Sequence, residues 1–178
     1  MLQIRVLIIA TVLIFILAGC SNESSTNPPT GNTIMETSFE SDGKFYTNGW
    51  TLTSLSDSST DVPPDGGNFS LKLKAGQPPE VYAEMKIPVS IMANEYRFSF
   101  WSRYSTIQGK AILSLIRNGA SIKSRSIQID EIVWRSFSIT DTFSVAAGDS
   151  FLVQLTGGYS QLLPGETYFD LCRLEAIE

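Results

Sequence analysis

The chain has 178 residues, with 13 Lys+Arg, 18 Asp+Glu, two cysteines and no histidine, a length that suits one domain with a core able to fold alone. The lack of histidine excludes Ser-His-Asp and Cys-His catalysis and any His-ligated zinc or haem, and a net charge of -5 leaves no basic footprint for nucleic acid. Hydrophobic residues at 43% and aromatics at 11% describe a globular chain, not a disordered one.

The first 19 residues read as an export signal. Arg5 supplies the positive start, Val6 to Leu17 is apolar apart from Thr11, and Leu17-Ala18-Gly19-Cys20 closes the run. The apolar stretch is short for a membrane span, and polar residues follow at once. The tetrapeptide resembles the bacterial lipobox, which implies that Cys20 is lipidated and becomes the new N-terminus. The other readings are an ordinary cleaved signal or an N-terminal anchor helix. Removal of residues 1–19 takes away one Arg and no acid, which leaves 159 residues and a formal charge of -6. Cys172 is then the only free thiol, so no intrachain disulfide can form. Ser21 stands where an Asp would resemble an inner-membrane retention signal, so the expected location is the outer membrane or cell surface. Residues 20–32, rich in Ser, Asn, Pro and Gly, read as a tether, and residues 33–178 as the folded domain.

From Thr33 onward the pattern has period two. Leu71 and Leu73 alternate with Ser70, Lys72 and Lys74. Val81, Ala83, Met85 and Ile87 alternate with Tyr82, Glu84 and Lys86. Tyr96, Phe98 and Phe100 alternate with Arg97, Ser99, Trp101 and Arg103, and Phe151, Val153 and Leu155 with Leu152, Gln154 and Thr156. Each is a strand with one buried face. Further strands are expected over 34–40, 50–56, 110–117, 121–128, 133–140 and 167–175. Asn118-Gly119 between two runs is a hairpin turn. About ten short strands with irregular loops argue an all-β antiparallel sandwich, with a jelly roll favoured over an up-and-down barrel.

Thr37-Ser38-Phe39-Glu40, Asn48-Gly49-Trp50, Gly67-Asn68-Phe69-Ser70-Leu71-Lys72-Leu73, Glu95 to Trp101, Trp134, Gly148-Asp149 and Tyr168 to Glu175 follow one another in an order that resembles the galactose-binding-like jelly rolls, particularly the carbohydrate-binding modules of xylanases and glucanases. The resemblance spans Met35 to Glu175. It implies a structural calcium where the first and last strands meet, held by the side chains of Glu40 and Asp170 and the main-chain carbonyls of Ser38 and Phe69. Two carboxylates with carbonyls and waters can supply the six to eight oxygens that calcium takes. The alternative is that Glu40 and Asp170 are solvated acids at strand ends.

A sugar site needs an aromatic ring for the C–H face of the sugar and polar groups for its hydroxyls. If the strands share a sheet, one outer face would present Trp101 and Tyr82 beside Arg103, Glu84 and Gln154; the other reading, slightly favoured, is that a loop covers Trp101 and the charges form an ordinary solvated face. A second possible site is a loop end near Phe45, Tyr46, Trp50 and Tyr159, although Trp50 and Trp134 read better as packing. Asp57, Asp61 and Asp65 crowd one loop and read as solvated. No spacing singles out a carboxylate pair for glycoside hydrolysis, and Cys172 reads as a buried thiol. The expectation is a non-catalytic glycan-binding module attached to a membrane through Cys20. The alternative is a structural or protein-interaction module of a surface or secreted assembly.

Overall fold

A computed structural model describes residues 32–75, 81–160 and 164–177. The expected export signal at 1–19, Cys20 and nearly all of the tether lie outside the described residues. Thirteen strands form two antiparallel sheets and a small hairpin, and no helix occurs among the described residues.

In the first sheet, β1 (Thr33–Thr37), β5 (Ser56–Ser59), β6 (Ser70–Lys74), β8 (Glu95–Tyr104), β11 (Arg135–Thr142) and β13 (Glu166–Ile177) are joined in the order β11-β8-β13-β6-β5, with β1 also paired to β13. The second sheet contains β4 (Thr51–Leu52), β7 (Tyr82–Pro88), β9 (Lys110–Arg117), β10 (Ala120–Gln128) and β12 (Ser150–Thr156), in the order β10-β9-β12-β7-β4. The two-residue strands β2 (Glu40–Ser41) and β3 (Lys44–Phe45) pair with each other. The first and last long strands meet, Thr37 opposite Cys172 and Thr33 opposite Glu175.

Alternation sets the faces as expected. Leu71, Leu73, Ala83, Tyr96, Phe98, Phe151, Val153 and Leu155 are wholly buried between the sheets. Phe98, Phe100 and Phe137 form a stack with successive centroids 5.1 and 5.7 Å apart. Tyr96 can lie among them because its hydroxyl donates to the Ile91 carbonyl at 2.8 Å and accepts from the Ala93 amide at 2.9 Å, so no polar atom of the ring is stranded. Asn118 and Gly119 both have positive φ, 50° and 81°, the backbone that a two-residue hairpin between twisted strands requires.

One side of the sandwich is closed electrostatically. Lys123 and Arg125 on β10 both reach Asp141 on β11, and the Lys123 ammonium lies 5.1 Å from the Phe143 ring centre. The inward-reaching Lys123 on this edge strand resists edge-to-edge pairing with another chain. The expected strand over 34–40 is interrupted. Phe39 turns to φ 54°, ending β1 and starting the β2–β3 hairpin. The run 50–56 likewise splits, with β4 in the second sheet and β5 in the first.

Candidate functional site

The five residues expected on one face are divided between the two sheets. Trp101 and Arg103 lie on β8 of the first sheet, and Tyr82, Glu84 and Gln154 on β7 and β12 of the second. Each is on an outward position of its own sheet, so the two groups look away from each other. Alternation fixes which side of a strand is wet. It does not say which strands are neighbours.

On the first sheet, the half-buried Trp101 stands opposite Asp170 and Ser136. Arg103 is already engaged. Its guanidinium lies 4.2 Å from the Tyr168 ring centre and is ion-paired with Asp61. Asp61 also accepts from the Trp134 indole nitrogen at 2.8 Å, and Tyr168 donates to Glu166. Burial, with the Glu166 bond second, raises the Tyr168 hydroxyl to about 12. Asp61 is therefore a partly exposed acid with two side-chain partners. It fastens the β5–β6 loop across the outer face of the sheet and occupies the polar groups a ligand would use there.

On the second sheet the outward positions build a groove of about 430 Å³. Along β9 they are Lys110, Ile112, Ser114 and Ile116, a line about 20 Å long at 3.4 Å per residue. Ser126, Ser124 and Ser121 of β10 stand opposite Ile112, Ser114 and Ile116. On the other flank, Gln154 and Leu152 of β12 stand opposite Ile112 and Ser114. The Ser114 and Ser124 hydroxyls are 2.6 Å apart, and Ser121 and Ser124 3.0 Å apart. Glu84 pairs with Gln154 across strands and accepts its amide at 3.1 Å. Tyr82 is opposite Thr156 on the same sheet. The residues lining the groove include no aromatic ring; the floor is aliphatic, with a hydroxyl and amide frame. This differs from the aromatic platform expected from the sequence. Ile112, Leu152 and Ile116 give the signal that could have revealed it: three branched aliphatics at outward positions on otherwise polar-out strands.

Of the second expected set, the two acids Glu40 and Asp170 come near enough for the charge of one to act on the other. Glu40 accepts at Oε2 from the amides of Asn68 at 2.6 Å and Phe69 at 3.2 Å. Asp170 is wholly buried. Its Oδ1 accepts from the Leu171 amide at 2.8 Å, while Oδ2 has no partner. Burial raises its carboxyl to about 8, and the neighbouring charge of Glu40 adds to the rise. Two adjacent glycines make room for both acids. A Cβ at Gly66 would lie 2.6 Å from Asp170 Oδ2, and one at Gly67 would strike the Glu40 carboxylate. The residues beside both acids, Phe39 and Leu171, have positive φ of 54° and 48°, a conformation that costs an L-residue about 1–2 kcal/mol. A buried carboxylate with a stranded oxygen needs either a proton or a cation to balance it. Hard oxygens of this kind fit a cation such as calcium. No group of three or more Asp, Glu or Cys side chains gathers among the described residues, so main-chain carbonyls and waters would have to complete the shell. Glu40 and Asp170 would be the charged ligands, and the ion would neutralise them while joining the β1–β2 turn, the β5–β6 loop and β13.

The aromatic residues weighed as a loop-end site serve packing in part. Trp50 stacks at 5.3 Å on Phe39, and Phe45 lies edge-on to Phe69 at 6.5 Å. Tyr46 and Tyr159 are about half exposed, at 49% and 46%. Cys172 is wholly buried, and burial raises its thiol well above the ordinary range.

No family model matches the sequence, and no curated protein matches it. Solved structures do. The xylan-binding CBM22-1 domain of Paenibacillus barcinonensis Xyn10C superposes with a TM-score of 0.57 at 16% identity, covering 83% of this chain and 96% of that one. The fold is that of the carbohydrate-binding jelly rolls. A family 16 carbohydrate-binding module gives a TM-score of 0.51 at 20% identity over 74% of this chain and 92% of its own. The enzymatically active domain of tailspike protein 4 from bacteriophage CBA120 gives 0.59 at 16% identity over 73% of this chain, but this chain spans only 20% of it.

Proposed function

We propose that the domain binds glycan without cleaving it, in the groove on the outer face of the second sheet. The observation that carries this reading is the groove itself, where the hydroxyls of Ser121, Ser124 and Ser126 and the Gln154 amide line an open concavity of about 430 Å³. Convergent polar groups in a preformed hollow are what a small-molecule or oligosaccharide site needs. The likeness to the xylan-binding domain supports the same class of ligand. Hydrolysis would need two carboxyl groups across a cleft. The groove lining carries none, and Glu84 beside it is committed to Gln154. Isothermal titration against soluble xylan, mixed-linkage glucan and galactan tests the reading. The expected result is binding that falls about tenfold or more in Gln154→Ala, with an unchanged melting temperature. Absence of binding to every glycan overturns the reading and favours the protein-interaction module.

The same proposal includes a calcium ion between Glu40 and Asp170 as a structural element, supported by the stranded Asp170 oxygen and the two glycines that clear space for the acids. It also includes attachment to the cell envelope through a lipid on Cys20, supported by the sequence Leu17-Ala18-Gly19-Cys20.

A further inference from the structure

The face of the second sheet is a chequer of apolar and hydroxyl positions. Leu152 on β12 is opposite Ser114, and Ile112 and Ile116 lie two residues to either side of that serine on β9. Ile112 and Ile116 each have a serine opposite on β10 and a polar residue opposite on β12, Gln154 and Ser150 respectively. Leu152 has Ser114 on one side and Lys86 on the other. All three aliphatic side chains are partly exposed, and Leu152 lies diagonal to both isoleucines, so they form a narrow apolar strip framed by serines, Gln154, Lys110 and Arg125. A flat aromatic platform accepts the broad C–H face of an unmodified pyranose. A narrow strip of branched aliphatics does not offer that surface. It matches single methyl groups whose neighbours on the ligand are hydroxyl or carbonyl oxygens, because a methyl seated on Ile or Leu leaves those oxygens within reach of serine hydroxyls and the Gln154 amide.

We propose that the groove selects glycans bearing methyl groups as O-acetyl, N-acetyl or 6-deoxy substituents over their unsubstituted counterparts. The inference rests on the glycan reading above and names the substrate class of that same site. Ile112, Leu152 and Ile116 are the specificity-determining residues. They act by seating the methyl, while Ser124 and Gln154 bond the polar atoms next to it. One methyl in an apolar seat discriminates by about tenfold or more.

The test titrates the full chain in detergent with matched pairs: O-acetylated xylan against the same xylan after saponification, chito-oligosaccharide against its de-N-acetylated form, and a 6-deoxyhexose oligomer against the parent hexose. These arms separate the three sources of the methyl. The expected result is about tenfold tighter binding to the substituted member of at least one pair. Leu152→Thr, or Ile112→Thr if that variant melts early, should lose most of that preference, so that the affinities for the two members of the pair converge. Equal affinity for both members of every pair overturns this inference and leaves the glycan reading standing. So does a preference that survives both folded variants. No binding to any member overturns the glycan reading, and this inference with it.

Discussion

Asp149 is 3% exposed and holds the turn before β12 in place. Arg117 grips it with two bonds, Nε to Oδ1 at 2.9 Å and Nη2 to Oδ2 at 2.7 Å, and the Ala146 amide adds a third at 2.7 Å. The Arg117 bond holds the Asp149 carboxyl below the usual carboxylate range. A depressed folded value means that its stabilisation is fully present above the unfolded value, about 3.9, and is lost as the pH falls toward the folded one. Thermal melts from pH 6 down to 3 should show a steeper decline for the natural chain than for Asp149→Asn, and parallel curves would refute the assignment. Asp170 has the opposite sign. Its folded value of about 8 lies above the unfolded one, so the chain in EDTA holds a proton that the unfolded chain releases, and its stability falls as the pH rises from about 4 to 8. Calcium would replace that proton. Added calcium should therefore raise the melting temperature most near pH 8 and least near pH 5, and Asp170→Asn should remove both the slope and the calcium effect. A calcium shift that is absent or flat with pH counts against the site. The pairing of Glu40 with Asp170 was legible only through the resemblance in residue order. The turned backbone of Leu171 sits at a bulge in β13 between Asp170 and Arg173, which no local pattern announces.

The β5–β6 loop shows how one element serves two parts of the molecule. At one end Asp61 holds Arg103 and Trp134, and at the other the amides of Asn68 and Phe69 hold Glu40. Gly66 lies between them against Asp170. Asp61→Ala should cost about 1–2 kcal/mol, since it leaves the Trp134 N–H and a guanidinium without their acceptor, although the 42% exposure of the Asp61 side chain limits the ion-pair part. The melting temperature should drop by a few degrees and tryptophan emission should shift to the red. An unchanged melt together with an unchanged spectrum would show that the loop is held elsewhere. Parity along β6, β7, β8 and β12 was legible because side chains alternate wherever one face is buried. The partition of those strands was not. β7 and β8 are consecutive, yet they belong to opposite sheets, since a strand that crosses over the core keeps the same alternation as one that pairs with its neighbour. Shared parity and chemistry therefore group Trp101 and Arg103 with Tyr82, Glu84 and Gln154 in the sequence, although their strands lie in opposite sheets.

At the scale of the whole molecule, the place where the chain enters the sandwich bears on how the groove meets a polymer. Thr33 stands opposite Glu175, at the end of the first sheet where β8 begins and Ile177 pairs with Glu95. The groove lies on the outer face of the other sheet, along β9. Packed sheets keep their strands within about 30° of each other, so a domain held at Thr33 presents the groove along its flank, not at the attached end. Twelve residues separate Cys20 from Thr33. A site without an aromatic platform should bind weakly as a single copy. Many copies anchored on one surface convert that weak binding into retention, because each engaged copy raises the effective concentration of polymer for the next. Cys20→Ser should accordingly release the protein from the membrane fraction and leave the affinity of the purified chain for its best glycan unchanged, while cells carrying the variant lose their hold on the polysaccharide. If the variant stays with membranes after a high-salt wash, the apolar run from Val6 to Leu17 is itself the anchor. If cells retain the polysaccharide with the protein released, surface display does not act through this groove.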